Sequence, residues 1–509
     1  LKKVKENGIV YLVGSGPGHP DLITRMGWDA LQNCDAVVYD DLAAFELVAA
    51  LPDKIERYYV GKRAGAHYKP QDSTSELIVE IARRGLNVVR LKGGDPLIFG
   101  RGGEELTFLK KEGIEYKIIP GVTALSAVGA GAAIPLTDRR DSSWVLLATG
   151  HEAVSDSQPV PWHEIAGLKG GTVAVYMGIG DLPRIVKDLI EGGIDPKTNA
   201  AVVHSGYSGA QKIVHAPLDE LEQRCKSTGI SAPAIILIGN VTRYAEELGW
   251  WKLGALAGKR ILVTRPYRSS QEFCQILRAH GAEPLPLPTI QIEPYIDNDG
   301  WTKIESALEK SGWLVFTSRP GVEYFIDGLW QRGYDNRCLH RFKIAAIGPG
   351  TSKALTERGL KPDLVPDVSL GGELARELVR RLDNPQNTTV IRVRGDLSDD
   401  VIDNTVTELG VELVQVTVYQ TITPIWEPHW IKVVKENPPD YITFTSGSTV
   451  HGFVKILGRD DAVRVATQSK VISIGPSTTA AARELGIKVD AEAKKHNMDG
   501  VIEVLLNSL

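Results

Sequence analysis

Short runs rich in valine and isoleucine alternate with stretches of helical periodicity from one end of the chain to the other. In the first half they include "IVYLVG" (9–14), "NVVRL" (87–91), "GTVAVYM" (171–177) and "AIILIGNV" (234–241). In the second they include "RILVT" (260–264), "WLVFTS" (313–318) and "YITFTS" (441–446). Apolar runs of this length, bounded by turn residues and separated by helices, predict α/β architecture with mostly parallel sheets. The pattern breaks at "ELGWWKLGALAGKR" (247–260), where a connector rich in glycine and alanine precedes a fresh strand. The expected division is a first domain over 1–250, a linker over 251–257 and a second domain over 258–509.

The second domain repeats itself. "WLVFTSRPGVEYF" from Trp313 recurs as "YITFTSGSTVHGF" from Tyr441, and "KIAAIGPGTSKALTERGLK" from Lys343 recurs as "KVISIGPSTTAAARELGIK" from Lys470, at nearly one offset. Two similar α/β lobes are expected, one over about 258–294 plus 421–509 and the other over about 295–420. Ligands commonly sit between such lobes, beyond the carboxyl ends of their strands.

Composition narrows the function. At 509 residues the chain exceeds a single core. Its 43% hydrophobic and 24% charged content is that of a globular protein, and a net charge of -5 supplies no basic footprint for nucleic acid. Cys34, Cys225, Cys274 and Cys338 lie far apart with no C-x-x-C pair, so neither a disulfide framework nor a structural zinc site is expected, which suits a reducing cytoplasm. No apolar run reaches membrane-spanning length, and "LKKVKENG" leads into a core strand rather than a cleavage site, so no membrane association is expected.

The opening strand runs into "GSGPGHPDL" (14–22), which invites a dinucleotide reading. Gly14 and Gly16 fit G-x-G-x-x-G, but His19 occupies the third position and Pro17 removes a backbone donor where a phosphate needs one. A plain strand-to-loop turn and a ligand with adenosine but no phosphate both remain open here. Further on, "KGGDPLIFGRGGEE" (92–105) is the most specific stretch. Gly93 and Gly94 permit close backbone approach, Asp95 offers an acceptor, and Glu104 and Glu105 are expected to favour the N-terminus of the following helix.

In the second half each "IGP" follows a strand and enters a helix through hydroxyl residues: Thr351 and Ser352 in one copy, Ser477, Thr478 and Thr479 in the other. Thr317, Ser318, Thr445 and Ser446 add hydroxyls at the "FTS" turns. Free N–H groups and hydroxyls at helix starts suit carboxylates, and equally make ordinary helix caps. "RILVTRP", the two "FTS" turns, "IGP-T" and "VYQTITP" (418–424) together resemble uroporphyrinogen-III synthase over roughly 258–509. The resemblance implies cofactor-free cyclisation of hydroxymethylbilane with loss of its hydroxyl and inversion of ring D. It puts the tyrosine that assists hydroxyl departure at Tyr419, and the polycarboxylate substrate gives the hydroxyl-lined loops a purpose. Packing at the end of an apolar strand is the other reading of Tyr419.

Residues 8–250 are similar to uroporphyrinogen-III C-methyltransferase of the tetrapyrrole methylase family, through the motifs above together with "CDAVVYDDL" (34–42), "YYVGKRAGAHYKPQ" (58–71) and "IIPGVTALSAVGAGAAIPLT" (118–137). That family binds S-adenosyl-methionine, an adenosyl ligand without phosphate. The resemblance implies cofactor contacts at Pro17, Gly93, Gly94, Asp95, Ile98, Thr123, Ala124, Met177 and Gly206. It matches Asp40 to an aspartate near the reacting carbon and Lys62 to a substrate-side base or anion ligand, and Arg101 suits a substrate carboxylate. Three departures bear on substrate geometry: Asp138 in "PLTDRR" where histidine is usual, Ser75 for asparagine, and "HSGYSGAQK" (204–212) for the family's "ENGT…QR". An acidic Asp138 would repel substrate carboxylates if it faced them. The two resemblances imply a bifunctional enzyme that makes uroporphyrinogen III and methylates it twice to precorrin-2, toward sirohaem, cobalamin or related pigments. A homodimer through the methyltransferase domain is a further family expectation. The alternatives are a methyltransferase fused to a catalytically silent carboxylate-binding module, and a nicotinamide-dependent oxidoreductase.

Overall fold

The apolar runs become strands buried on both faces, and the described residues form four five-stranded sheets. The computed structural model describes residues 7–41, 45–52, 54–61, 71–150, 159–382 and 384–508.

The first sheet comprises β1 (Val10–Gly14), β2 (Ala36–Tyr39), β3 (Glu56–Tyr59), β4 (Val88–Lys92) and β5 (Tyr116–Ile119), in the order β3-β2-β4-β1-β5. All four ladders are parallel, so the loops after β1, β4 and β5 leave the same edge as neighbours. The second comprises β6 (Trp144–Thr149), β7 (Gly171–Tyr176), β8 (Asn199–His204), β9 (Lys212–Pro217) and β10 (Ala234–Ile238), in the order β6-β7-β10-β8-β9. Here only the β6–β7 ladder is parallel; β10 opposes both β7 and β8, and β9 opposes β8. This departs from the parallel expectation. A strand covered on both faces reads as a continuous apolar run in either direction, so "AIILI" carries no sign of its sense.

β11 (Arg260–Val263) and β12 (Glu283–Pro286) begin a third sheet that β18 (Tyr441–Phe444), β19 (Lys470–Ser473) and β20 (Ala491–Glu492) complete, in the all-parallel order β12-β11-β18-β19-β20. Between them β13 (Gln291–Pro294), β14 (Gly312–Phe316), β15 (Phe342–Ala346), β16 (Thr389–Gly395) and β17 (Glu412–Ile422) form the fourth, in the order β13-β17-β16-β14-β15. Only β13 is antiparallel there.

The repeat is physical. β14 pairs with β15 as β18 pairs with β19. Phe316 meets Phe325 edge-on at 5.6 Å, and Phe444 meets Phe453 edge-on at 5.5 Å. Ser318 and Ser446 cap the helices Arg319–Gln331 and Gly447–Leu457 by accepting backbone N–H groups. The chain divides into two compact units, 1–288 with 426–509 and 289–425, so the connector over 251–257 lies inside a unit, with Leu256 fully buried. Among the described residues no helix is long and apolar enough to cross a membrane.

Candidate functional site

The glycines after β1, β4 and β5 let three loops interlock. Gly16 and Gly94 pair as an antiparallel bridge, each N–H donating to the other's carbonyl, at 3.2 and 2.7 Å. A Cβ at Gly14 would lie 2.6 Å from the Cα of Gly121, and one at Gly121 would lie 2.2 Å from the carbonyl oxygen of Gly94. Side chains are therefore excluded where the backbones meet. The Asp95 carboxylate accepts from the N–H of Leu97 at 2.9 Å and from that of Gly121 at 3.0 Å, which ties the β4 loop to the β5 loop.

The helix Ala124–Gly131 starts against this knot, with Thr123 at its N-cap and the Ala124 nitrogen 3.6 Å from where a Gly94 Cβ would be. Thr123 shares a hydrogen bond of 2.8 Å with the Tyr176 hydroxyl, which also accepts the Leu125 N–H at 3.1 Å. Burial raises the pKa of Tyr176 and keeps this hub neutral. Phe99 lies 4.9 Å from the Tyr176 ring, Ile98 packs on the same core, and Met177 is 53% exposed beside it. A Cβ on Gly206 would strike Val128 of the helix at 2.7 Å. Gly94, Asp95, Ile98, Thr123, Ala124 and Gly206 thus belong to one network of contacts, Gly93 and Met177 adjoin it along the chain, and Pro17, half-buried, follows the bridge residue Gly16. Phe99, Arg101, Met177, Ser205 and Tyr207 all hold left-handed φ values of 48–64°. Such strain in non-glycine residues gathers where a ligand or switch needs an unusual backbone.

A buried charge network underlies Asp40. Arg90 donates to Asp40 at 2.8 Å and to Glu105 at 3.2 Å, and Lys92 donates to Glu105 at 3.1 Å. The side chains of Arg90, Lys92 and Glu105 are 5%, 7% and 1% exposed, that of Asp40 24%. Burial works against the charge on Arg90, yet Glu105 and Asp40 together raise its pKa, whereas burial and Arg90 lower that of Lys92. Glu105 is thus an interior counter-ion rather than a plain helix-start charge. Its neighbour Glu104 stays outside, chelated by Arg101 at 2.8 and 2.6 Å, and Arg101 itself is exposed. The sequence does carry a sign of the network: Arg90 and Lys92, two residues apart in an apolar strand, must share one face. Lys62 lies outside the described residues.

Of the departures, Asp138 is clamped by Arg140 at 2.9 and 3.1 Å, and this hydrogen bonding draws its pKa down to about 2. Its charge is answered locally. Ser75 is buried within the helix Gln71–Arg83. The loop after His204 is braced by Gln211, which accepts the Tyr207 N–H at 2.8 Å and donates to the Gly131 carbonyl at 3.0 Å. Tyr207 also lies 5.0 Å from the ring of Trp251 in the connector.

In the second half Tyr419 sits on β17, where the pairing with β16 slips by a residue after Arg394. Gly395 faces it, and a Cβ there would lie 2.3 Å from the ring. Burial raises the phenol's pKa, against a hydrogen bond with Ser318. Tyr324 lies 6.4 Å away. Beside this region Arg392, 1% exposed, keeps its Nε 3.9 Å from Asp403. Thr317 and Ser318 are half-buried at the end of β14, as are Thr445 and Ser446 at the end of β18. Ser477 is exposed at the start of the helix Pro476–Glu484, while Thr478 turns inward at 1% exposure.

Residues 9–222 match the family of Tetrapyrrole (Corrin/Porphyrin) Methylases, and residues 271–503 match Uroporphyrinogen-III synthase HemD. The chain is thus a tetrapyrrole-biosynthesis fusion, methyltransferase first and synthase second. It belongs to the family of the porphyrin biosynthesis protein HemD of Ruminiclostridium josui, to which it is 34% identical over 502 residues, 98% of each chain. The siroheme synthase of Pseudoalteromonas atlantica is 41% identical over 244 residues, so the chain spans only 52% of that enzyme. Among solved structures, uroporphyrin-III C-methyltransferase from Thermus thermophilus complexed with S-adenyl homocysteine is 34% identical, covering 46% of this chain and 99% of that one, with a TM-score of 0.40.

Proposed function

We propose that the second half cyclises hydroxymethylbilane to uroporphyrinogen III and that the first half methylates this product twice, to precorrin-2. The methyl donor is S-adenosyl-methionine. The observation that carries this reading is the pairing itself: a synthase segment and a methylase segment in one chain meet at a single metabolite.

The interlocked loops suit an adenosyl ligand. Gly14, Gly94 and Gly121 leave no side chain between the strand ends, and Pro17 withholds the N–H that a phosphate would require. Pro17, Gly93, Gly94, Asp95, Ile98, Thr123, Ala124, Met177 and Gly206 would hold it there. Bound, the donor supplies an electrophilic methyl group. Alignment and exclusion of water do most of the work in such a displacement, so a rigid loop knot is the useful scaffold. Asp40 stabilises the positive charge that develops on the tetrapyrrole and can take up the proton it sheds. Arg90 holds the carboxylate in place through a hydrogen bond of 2.8 Å. Arg101 and Lys62 are assigned to substrate carboxylates.

In the second half Tyr419, kept neutral by burial, donates a proton to the departing hydroxyl. Ser318 and Ser446 accept from their own helices, and their hydroxyls also meet Tyr419 and, at 2.8 Å, Ser448, so a substrate carboxylate would draw on hydroxyls already ordered by neighbours. Thr317, Thr445 and the exposed Ser477 add donors, and Thr478 follows Ser477 in the chain, buried at 1% exposure. The methylase reading is tested by supplying uroporphyrinogen III and S-adenosyl-methionine to the purified chain. Mass spectrometry should show the gain of two methyl groups; an unmethylated tetrapyrrole would refute it.

A further inference from the structure

The segment that ends β2 faces two ways. Asp40 turns to Arg90 at 2.8 Å, whereas Tyr39 and Asp41, one residue to either side, are both engaged by the helix Pro428–Glu436 and its cap residue from the synthase half. The Tyr39 hydroxyl donates to Glu427 at 2.7 Å. His429 Nε2 lies 3.6 Å from the Asp41 carboxylate, and its ring stacks on Tyr59 at 3.9 Å with the planes 16° apart. The Tyr59 hydroxyl in turn donates to Asp41. Further along, Phe45 packs on Trp430 at 3.9 Å and Glu46 pairs with Arg278.

We infer that Glu427 and His429 are positioning residues for methyl transfer: by clamping Tyr39 and Asp41 they fix the backbone on both sides of Asp40, so that the synthase half sets the aim of the methyltransferase's carboxylate. This rests on the role proposed for Asp40. The clamp is a desolvated one, since burial raises the pKa of both Tyr39 and Glu427, and a hydrogen bond in such surroundings defines one geometry rather than several. A misplacement of about 1 Å at a reacting group can cost roughly 100-fold in rate, so a change at this helix should be felt at Asp40 without contact with either ligand.

The test uses the full chain, supplied uroporphyrinogen III and single-turnover methylation. Glu427→Ala and His429→Ala should each slow the maximal rate about 10- to 100-fold. The affinity for S-adenosyl-homocysteine and uroporphyrinogen III formation from hydroxymethylbilane should stay at wild-type values. Glu427→Gln keeps an acceptor for Tyr39 and should restore most of the rate. Arg278→Ala breaks the same interface at Glu46, away from Asp40, and should leave methylation near normal. If Glu427→Ala and His429→Ala are no slower than Arg278→Ala, the contact is mere adhesion and the inference fails. Asp40→Asn is run alongside. Slow Asp40→Asn with a normal Glu427→Ala overturns the positioning role alone, whereas a normal Asp40→Asn overturns the role of Asp40 and the positioning role with it.

Discussion

At the scale of single residues, Asp95 joins two tasks. Its carboxylate holds the Gly121 and Leu97 amides, and it stands at the centre of the loops assigned to the methyl donor. Asp95→Ala removes a half-buried acceptor from both amides and should weaken S-adenosyl-homocysteine binding by about 1–3 kcal/mol in calorimetry while leaving ring closure intact. Unchanged affinity would take Asp95 out of the site. Asp138 gives a prediction in pH. Its pKa is drawn from 3.8 to about 2 by Arg140, so the folded state holds its proton less tightly than the unfolded chain. The stability it contributes is present above its ordinary pKa and lost as pH falls through about 2. The difference in melting temperature between the wild type and Asp138→Asn should be constant at neutral pH and shrink on acidification. Asp40 and Asp95 stand out in the sequence as candidates because motif and chemistry coincide there. Tyr176, Arg90 and Glu105 are much less so, because their partners come from strands and helices distant in sequence.

At the scale of elements, the slip between β16 and β17 presents Tyr419. The ring lies over Gly395, where no side chain fits. Gly395→Ala should displace the tyrosine, cost about 1–3 kcal/mol of stability as an overpacked site does, and shift the ring-closure product from uroporphyrinogen III toward the spontaneous type I isomer. Tyr419→Phe should produce the same shift without the loss of stability, and methylation of supplied uroporphyrinogen III should be normal in both. A wild-type isomer ratio in both variants would return Tyr419 to packing. The strands themselves are legible as apolar runs, and the repeat foretells the paired β14–β15 and β18–β19 units with their serine caps. The direction of β10 is not, since burial on two faces erases the alternation that would betray an antiparallel strand. The bridge between Gly16 and Gly94 is half legible: glycine signals close approach but not the partner.

At the scale of the whole molecule, the methyltransferase half and the β11-containing part of the synthase half form one compact unit, joined by the connector and by the contacts of Glu427, His429, Trp430 and Arg278. A connector rich in glycine and alanine reads in sequence as a linker, and in the fold Trp250 donates to the Ala130 carbonyl at 2.7 Å and Leu256 is fully buried. Composition reports what a segment can do alone; the tertiary contacts decide what it does. Both proposed steps are read together in the product of hydroxymethylbilane incubated with the purified protein, with and without S-adenosyl-methionine, by isomer-resolving chromatography and mass spectrometry. Without the methyl donor the product should be uroporphyrinogen III, and with it a tetrapyrrole carrying two added methyl groups. Type I isomer alone in the first tube would leave the second half a carboxylate-binding module, and uroporphyrinogen III without added methyl groups in the second would contradict the methyltransferase.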